Sequence, residues 1–312
     1  MAITFTAKAK NALARFPLSG ECCLQAELSS FLYMKGSIEV ASGRKALTVV
    51  TENPAVARRI FSLFKALYNV NTEIFFRQKT RLKKNNVYLV QTRGEEQIQQ
   101  ILKTLGRLDA QGSLMMGINR KILRRRCCKK AFLRGAFLAS GYVSNPDSSY
   151  HLELVTDYEG HSRVLQSLLR EFHLKGKVNR RKSFYVLYLK GSDAIASFLQ
   201  VIGAHQALLS FENTRVLKDL RNQVNRLVNF ETANLNKTVD AAVKQVEDIH
   251  LIKASIGLER LPSSLKSLAE LRLAYPEATL KELGAMLTPP LEKSGVNHRF
   301  RKLKDIAANL RT

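Results

Sequence analysis

The chain has 312 residues, and its 50 lysines and arginines outnumber its 26 aspartates and glutamates, for a formal net charge of +24. Such an excess favours a polyanionic partner, nucleic acid rather than a membrane surface. No apolar run approaches the roughly 20 residues that span a bilayer, and the start of the chain lacks the apolar centre of a secretion signal, so we expect a cytoplasmic protein.

The first 16 residues are basic and poor in acids, as in a transit peptide. They also carry Phe5, Leu13 and Phe16, which fit one face of a helix. We therefore favour a short amphipathic helix that packs on the domain.

The segment that follows, residues 22–38, returns at residues 127–143 with a spacing of 105. The positions that coincide are Cys22, Cys23, Ala26, Leu28 and Gly36 with Cys127, Cys128, Ala131, Leu133 and Gly141. Both segments are predicted to be helical. Gly135 lies inside the second one, where glycine costs about 1 kcal/mol relative to alanine. A glycine there indicates that another backbone comes close. We predict two helices packed side by side on a pseudo-dyad.

The four cysteines form two adjacent pairs at equivalent positions of the repeat. If the two helices run parallel, their starts lie close, and a four-thiolate zinc site is one alternative. Zinc motifs, however, separate their paired cysteines by two to four residues. We favour buried, reduced thiols and expect no metal site and no cofactor.

The repeat continues through strands and helices. LTVVTE at 47–52 matches LELVTD at 152–157. Two apolar stripes of helical period also match: Ile60, Leu63, Phe64 and Leu67 with Leu165, Leu168, Leu169 and Phe172, then Ile98, Ile101, Leu102 and Leu105 with Ile195, Phe198, Leu199 and Ile202. The last stripe has a spacing of 97, which places an eight-residue deletion in the preceding hairpin. The fold class is therefore α+β, a duplicated α-β-β-α-β-β-α domain with pseudo-twofold symmetry.

Two hairpins of this domain are basic, the first with turn residues at Asn85–Asn86. Their basic residues are Arg77, Lys79, Arg81 and Lys83 in the first copy, and Lys175, Lys177, Arg180, Arg181 and Lys182 in the second. A single basic hairpin is typical of a solvated surface, whereas two related by a dyad would form a groove for a duplex. We predict that they contact phosphate.

The predicted organisation has five parts. Residues 1–107 hold the N-terminal segment and the first repeat, 108–126 a basic linker, and 127–210 the second repeat. Residues 211–262 form a connector of two helices, the second ending near Gly257, and 263–312 form a three-helix, all-α domain. The arginines of the linker either contact phosphate or only keep the linker solvated.

The last fifty residues contain the clearest local motif. Ser263 is a candidate cap for the first helix, Thr279 and Glu282 form a capping box for the second, and Ser294 is a candidate cap for the third. Gly284 allows close packing of the third helix. Its outward residues, our predicted DNA contacts, are Ser294, Asn297, His298, Arg301, Lys302 and Lys304. The alternative is a plain three-helix end-cap.

The nonapeptide LRGAFLASG at 133–141 resembles the LAGLIDADG signature of homing endonucleases. A fuller resemblance, over nearly the whole chain and most specific at 221–242 and 287–303, is to the WhiA family of bacterial regulators. That resemblance implies a degenerate LAGLIDADG-like domain followed by a helix-turn-helix. It also implies a nucleoid-associated transcription regulator of cell division, chromosome segregation and, in sporulating relatives, sporulation. Its expected partners are double-stranded DNA and the transcription machinery.

A nuclease of the LAGLIDADG family needs one carboxylate per copy, at the residue before the final glycine, to hold the metal ions that activate water. Lys35 and Ser140 occupy those positions here, and neither binds Mg²⁺ as a carboxylate does. We therefore expect no enzyme activity and no catalytic residue. The alternatives are an RNA-binding, maturase-like protein and a scaffold at the division site.

Overall fold

The computed structural model describes residues 3–18, 20–41, 44–78, 86–109, 111–115 and 117–311. The chain divides into two units, Met1–Lys218 and Asp219–Thr312. Within the described residues, no helix combines the length and the apolar character needed to cross a membrane.

The first unit contains two copies of one order of elements, after a short helix, α1 (Phe5–Leu13). The first copy consists of α2 (Glu21–Lys35), β1 (Gly36–Ala41), β2 (Arg44–Thr51), α3 (Pro54–Tyr68), β3 (Thr72–Gln78), β4 (Asn86–Arg93) and α4 (Glu95–Thr104). After a 3₁₀ turn at Arg120–Leu123, the second copy consists of α5 (Arg126–Ser140), β5 (Gly141–Val143), β6 (His151–Thr156), α6 (Glu159–Glu171), β7 (Lys177–Arg181), β8 (Phe184–Lys190) and α7 (Ser192–Ile202). The predicted α+β duplication is confirmed.

Each copy builds a four-stranded antiparallel sheet, in the orders β1-β2-β4-β3 and β5-β6-β8-β7. Leu47 pairs with Thr92 in the first sheet, and Leu152 pairs with Leu189 in the second. The central strands thus repeat at 105 and 97 residues, and the deletion lies between them. One face of each sheet is buried beneath helices, and the other face is partly open. The turn predicted at Ser42–Gly43 and the residues from Lys79 to Asn85 lie outside the described residues.

Helices α2 and α5 pack against each other at the junction of the two copies, as predicted. Gly135 makes this possible, because a Cβ atom built on it would lie 2.6 Å from the backbone oxygen of Glu27 and 2.9 Å from the Cβ of Ser30. Both values are shorter than van der Waals contact, so the two helices approach as closely as their backbones allow. The apolar stripes of α3, α4, α6 and α7 complete the core around this pair.

A buried ion cluster, which the sequence did not reveal, stabilises the same junction. Glu27 of α2 accepts hydrogen bonds from Nε and Nη2 of Arg59 at 2.8 and 2.9 Å, and from Nη1 of Arg134 at 3.3 Å. Nε of Arg134 donates to the carbonyl of Ile202 at 2.9 Å, and its guanidinium stacks 3.7 Å from the ring of Phe16. Burial lowers the pKa of Arg134, and the charge of Glu27 opposes that effect. The cluster connects both copies to the N-terminal segment.

One helix, α8 (His205–Ser255), replaces the two helices expected in the connector. The expectation of a break between them is wrong, because residues 205–255 contain neither glycine nor proline and nothing interrupts the backbone hydrogen bonds. The predicted end near Gly257 is confirmed. A 3₁₀ turn, Leu258–Arg260, follows, and then come α9 (Ser263–Ala274), α10 (Leu280–Met286) and α11 (Lys293–Arg311).

The caps of these three helices differ in part from expectation. Thr279 and Glu282 form the predicted capping box, with reciprocal bonds to each other's backbone N–H groups. Ser263, in contrast, is the first helical residue of α9 and Pro262 is its cap. Ser294 lies inside α11, which begins one residue earlier. Ser263 is one position and Ser294 two positions too late to cap, because each lies inside the helix.

Two contacts hold α11 against the rest of the second unit. A Cβ on Gly284 would lie 2.1 Å from the carbonyl oxygen of Leu291, so the turn between α10 and α11 requires a glycine there. Arg272 of α9 is buried, donates to the carbonyls of Pro276 and Ala278, and lies 5.3 Å from the ring of Phe300. Together they fix which side of α11 faces the small core.

The close approach of α2 and α5 generates a stability prediction. We expect Gly135→Ala to lower the free energy of unfolding by about 1–3 kcal/mol, because overpacking outweighs the gain in helix propensity. The control is Gly160→Ala in α6, where a Cβ meets nothing within 4 Å. Urea unfolding followed by circular dichroism measures both variants. A Gly135→Ala protein as stable as the control would show that the two helices have room between them.

Candidate nucleic-acid interface

Helix α11 presents a polar, basic surface. Val296, Phe300, Leu303 and Ala307 are buried, and Ile306 is half-buried. All six predicted DNA contacts on the helix are exposed: Ser294, Asn297, His298, Arg301, Lys302 and Lys304. An exposed arginine can donate two hydrogen bonds to guanine, and an asparagine can pair with adenine in the same way.

The six residues do not all point in one direction. Successive residues of a helix are about 100° apart, so Ser294, His298 and Lys302 lie on the side opposite the core. Asn297 and Lys304 lie at its flank and, with Arg301, border a groove of about 400 Å³ against α8. The wall contributed by α8 includes Lys244, Gln245, Glu247 and Asp248. Arg301 borders both surfaces, which makes it the central side chain of the α11 surface.

The hairpin of β7 and β8 carries the basic residues predicted for the second copy. Lys175, Lys177, Arg180, Arg181 and Lys182 are all exposed. By strand pairing, Lys177 lies opposite Tyr188 and Arg181 opposite Phe184, on the open face of the sheet. Arg180 pairs with Tyr185 on the other face, and Lys182 is in the turn with φ 56°. The charge therefore extends along the edge strand β7 from its start to the tip of the hairpin, where phosphates can approach.

Only part of the first basic hairpin can be placed, since Lys79, Arg81 and Lys83 lie outside the described residues. Arg77 is exposed at the end of β3, on the open face. That face is mixed, because Phe75 and Leu89 border the same shallow groove of about 520 Å³, together with Glu39 and Arg93. Within the described strands, Arg77 therefore shares the open face of the first sheet with apolar and acidic side chains.

The last residues of α2 and α5 are Lys35 and Ser140, the two positions at which the sequence predicts the loss of a carboxylate. The hydroxyl of Ser140 donates to the carbonyl of Ala136 at 3.4 Å. Lys35 borders a cavity of about 550 Å³ together with Lys10 of α1 and Glu52. Burial and, to a smaller extent, the charge of Lys35 lower the pKa of Lys10 to about 8, and the charge of Glu52 opposes both effects. Sequence patterns alone did not indicate Lys10, although it follows the buried Ala9 in α1.

The four cysteine sulfurs come together at the opposite ends of the same two helices, all within 4.8 Å of one another. The expectation that all four thiols are buried is wrong, since Cys127 is exposed and Cys22 and Cys23 are half-buried. A side-chain hydrogen bond from Cys23 lowers the pKa of Cys127, whereas burial raises the pKa of Cys128 to about 12. Over the described residues, no other grouping of three or more His, Cys, Asp or Glu has metal-binding proximity.

Comparison with known proteins identifies similar sequences and folds. Family models match at residues 21–108 (WhiA N-terminal LAGLIDADG-like domain), 129–221 (WhiA LAGLIDADG-like domain) and 224–307 (WhiA C-terminal HTH domain). A probable cell division protein WhiA of Desulforamulus reducens is 51% identical over 312 residues, covering 99% of this chain and 97% of that protein. The protein of the same name in Desulfitobacterium hafniense strain Y51 is 51% identical over 310 residues, covering 99% and 96%. The crystal structure of full-length WhiA from Thermatoga maritima has a TM-score of 0.61 at 26% identity and covers 98% of this chain and 99% of that one.

The half-buried Lys10, which borders the same cavity as Lys35, leads to a prediction about pH. The pKa of Lys10 is about 8 in the folded protein and 10.5 in its ordinary state, so the unfolded chain binds more protons between those values. The free energy of unfolding therefore rises with pH from about 8 to 10.5. We expect Lys10→Met to be more stable than the unchanged protein below pH 8, and the difference to shrink through that window.

Thermal melts at several pH values measure this difference. Lys8→Met removes an exposed lysine from the same helix and serves as the control. A stability difference that is independent of pH would show that Lys10 is charged and well solvated in the folded protein.

Proposed function

This chain belongs to the WhiA family, and on that premise we propose that it is a non-catalytic, sequence-specific double-stranded DNA-binding protein that regulates transcription. The observation that carries the proposal is the exposed polar and basic side of α11, held in one rotation by a three-helix core. In helix-turn-helix proteins the last of three such helices enters the major groove, and residues of its N-terminal part contact base edges. Asn297, His298 and Arg301 lie in that part.

The two hairpins have a different proposed role, that of phosphate contact. Lysines and arginines at a hairpin tip can neutralise the DNA backbone but cannot distinguish bases. Lys177, Arg180, Arg181 and Lys182 support this role by their exposure, and we extend it to Arg77, Lys79, Arg81 and Lys83 of the first hairpin. Affinity would then depend on both units and sequence choice on α11. The groove residues Asn297 and Lys304 would act at the flank of the recognition surface.

The biological setting is also a proposal. Relatives half identical to this chain are named probable cell division proteins, and we propose the same setting here, through the control of transcription. Chromosome segregation, association with the nucleoid and contact with the transcription machinery are the expected extensions, and sporulation is expected where the host forms spores.

The LAGLIDADG-like domain, we propose, no longer cuts DNA. Two lysines, Lys10 and Lys35, line the cavity at the ends of the dyad helices, and their charge repels the Mg²⁺ that such nucleases need. We expect no nicking or linearisation of plasmid or promoter DNA in Mg²⁺ or Mn²⁺. Cleavage that persists after further purification but is lost in a Glu52→Gln variant would contradict the proposal.

Arg301 provides the main test of sequence reading. We expect Arg301→Ala to weaken binding to the selected site by about 1–3 kcal/mol, the value of one bidentate base contact, and to weaken binding to random duplex much less. Fluorescence anisotropy at fixed salt measures both affinities. Arg260→Ala is the matched control, since it removes an equally exposed arginine from a different element of the same unit.

Two outcomes would contradict this assignment of Arg301. An equal loss of affinity on both DNAs would make Arg301 a phosphate contact. A structured RNA that binds more tightly than the selected duplex would favour the maturase-like alternative.

The phosphate role of the second hairpin predicts a change in salt dependence. Replacing Lys177, Arg180, Arg181 and Lys182 with glutamine should flatten the plot of log affinity against log salt by about 0.9 for each phosphate that the hairpin no longer neutralises. The preferred site should stay the same. As a control, Arg58, Lys65, Lys103 and Arg170, which are exposed on helices of the buried sheet faces, are replaced together. An unchanged slope in the hairpin variant would show that this hairpin does not touch DNA.

A further inference from the structure

The cluster of four cysteine sulfurs lies at the N-terminal ends of α2 and α5, remote in each helix from Lys35 and Ser140. The proposed DNA-binding function makes no use of it. We propose that Cys22, Cys23, Cys127 and Cys128 bind one structural zinc ion, two ligands coming from each copy of the repeat.

The distances suit a tetrahedral zinc site. With Zn–S bonds of about 2.3 Å, the sulfurs of a regular tetrahedron are about 3.8 Å apart. The sulfurs of Cys127 and Cys128 are 3.9 Å apart, and all four lie within 4.8 Å of one another. A contraction of less than about 1 Å, within the reach of cysteine side-chain rotation, completes the site.

The pairing of two helices explains how adjacent cysteines can serve. Cys22 and Cys23 are the second and third residues of α2, and Cys127 and Cys128 hold the same places in α5. Each helix contributes two neighbouring sulfurs at the point where the two helix starts meet. Two of the four tetrahedral ligand positions would then come from α2 and the other two from α5. The spacing rule for zinc motifs describes ligands on one short segment, which is why the local sequence argues against a site that the dyad assembles.

Basic groups near the cluster would compensate the charge of metal-bound thiolates. Four thiolates and one Zn²⁺ carry a net charge of −2, and the N-terminal ends of both helices stabilise thiolates through their dipoles. Nη1 of Arg125 donates to the sulfur of Cys22 at 3.9 Å. Five basic residues, Arg124, Arg125, Arg126, Lys129 and Lys130, flank the second pair in the sequence. A metal centre of four thiolates needs such nearby positive charge to balance its negative charge, whereas neutral thiols do not.

The ligand set determines the metal class and its role. Soft thiolates select zinc over magnesium or calcium, and four protein ligands leave no position for water or substrate. The ion would therefore be structural. It would connect the start of the first copy to the start of the second. The ion cluster of Glu27, Arg59 and Arg134 connects the two copies further along α2 and α5. Because zinc would bind only the folded unit, the melting temperature should rise with zinc concentration.

The test begins with the full-length protein purified under reducing conditions in metal-free buffer. Elemental analysis should find one zinc per chain, and removal of the zinc followed by Co²⁺ should give the ligand-field and charge-transfer bands of tetrahedral thiolate coordination. An organomercurial titration of the unchanged protein should release that zinc as the four thiols react. This last measurement needs no variant and so does not depend on how a variant folds.

Variants then locate the site. Cys23→Ser combined with Cys128→Ser should lose the zinc and the zinc-dependent rise in melting temperature, whereas Gln25→Ser, two residues after Cys23 in α2, should keep both. Reduced protein that takes up neither Zn²⁺ nor Co²⁺ would overturn the proposal. Zinc retained by the folded double variant, iron in place of zinc, or a disulfide in mass spectra of the unreduced protein would overturn it equally. DNA affinity is measured separately, so the failure of one proposal does not imply the failure of the other.

Discussion

The contact between α2 and α5 is the constraint on which the first unit depends. Gly135 lets the two backbones approach, and any side chain at that position would overlap the carbonyl of Glu27. The same glutamate is buried between Arg59 and Arg134. A buried carboxylate with one partner removed is strongly destabilising, so the cluster specifies this pairing of helices against others. Both sheets are connected to the two helices and are positioned by them.

The second unit also depends on a glycine at a close approach and on a buried arginine. Gly284 admits the turn before α11, and the capping box of Thr279 and Glu282 begins the helix that precedes it. Arg272 then satisfies two loop carbonyls while covering Phe300. These contacts determine which residues of α11 face the core, and hence which side chains are available to a ligand.

Much of the fold could be predicted because the duplication repeats each sequence pattern in two copies. The matched stripes of α3 and α6, at a spacing of 105, predict two equivalent helices far better than either stripe alone. The ion cluster could not be predicted in this way, since Arg59 and Glu27 are 32 residues apart and have no counterparts in the repeat pattern. The continuity of α8 was not predicted either, because a change in its apolar stripe outweighed the absence of glycine and proline.

The candidate sites differ in the same way. The exposure of the six residues of α11 could be predicted, since helical periodicity alone separates its buried from its exposed positions. The groove that divides them could not, because it depends on α8. Likewise the adjacent cysteines are uninformative as a local motif and become informative only when the dyad brings the two pairs within 4.8 Å.

The central claim is that α11 reads sequence while the duplicated domain supplies affinity without choice. Selection from a random pool of duplex DNA, carried out in parallel with the full chain, residues 1–218 and residues 219–312, tests it most directly. We predict one common motif for the full chain and for 219–312, and binding without enrichment for 1–218. If residues 1–218 alone enrich the motif of the full chain, the LAGLIDADG-like domain reads the DNA and the account is wrong.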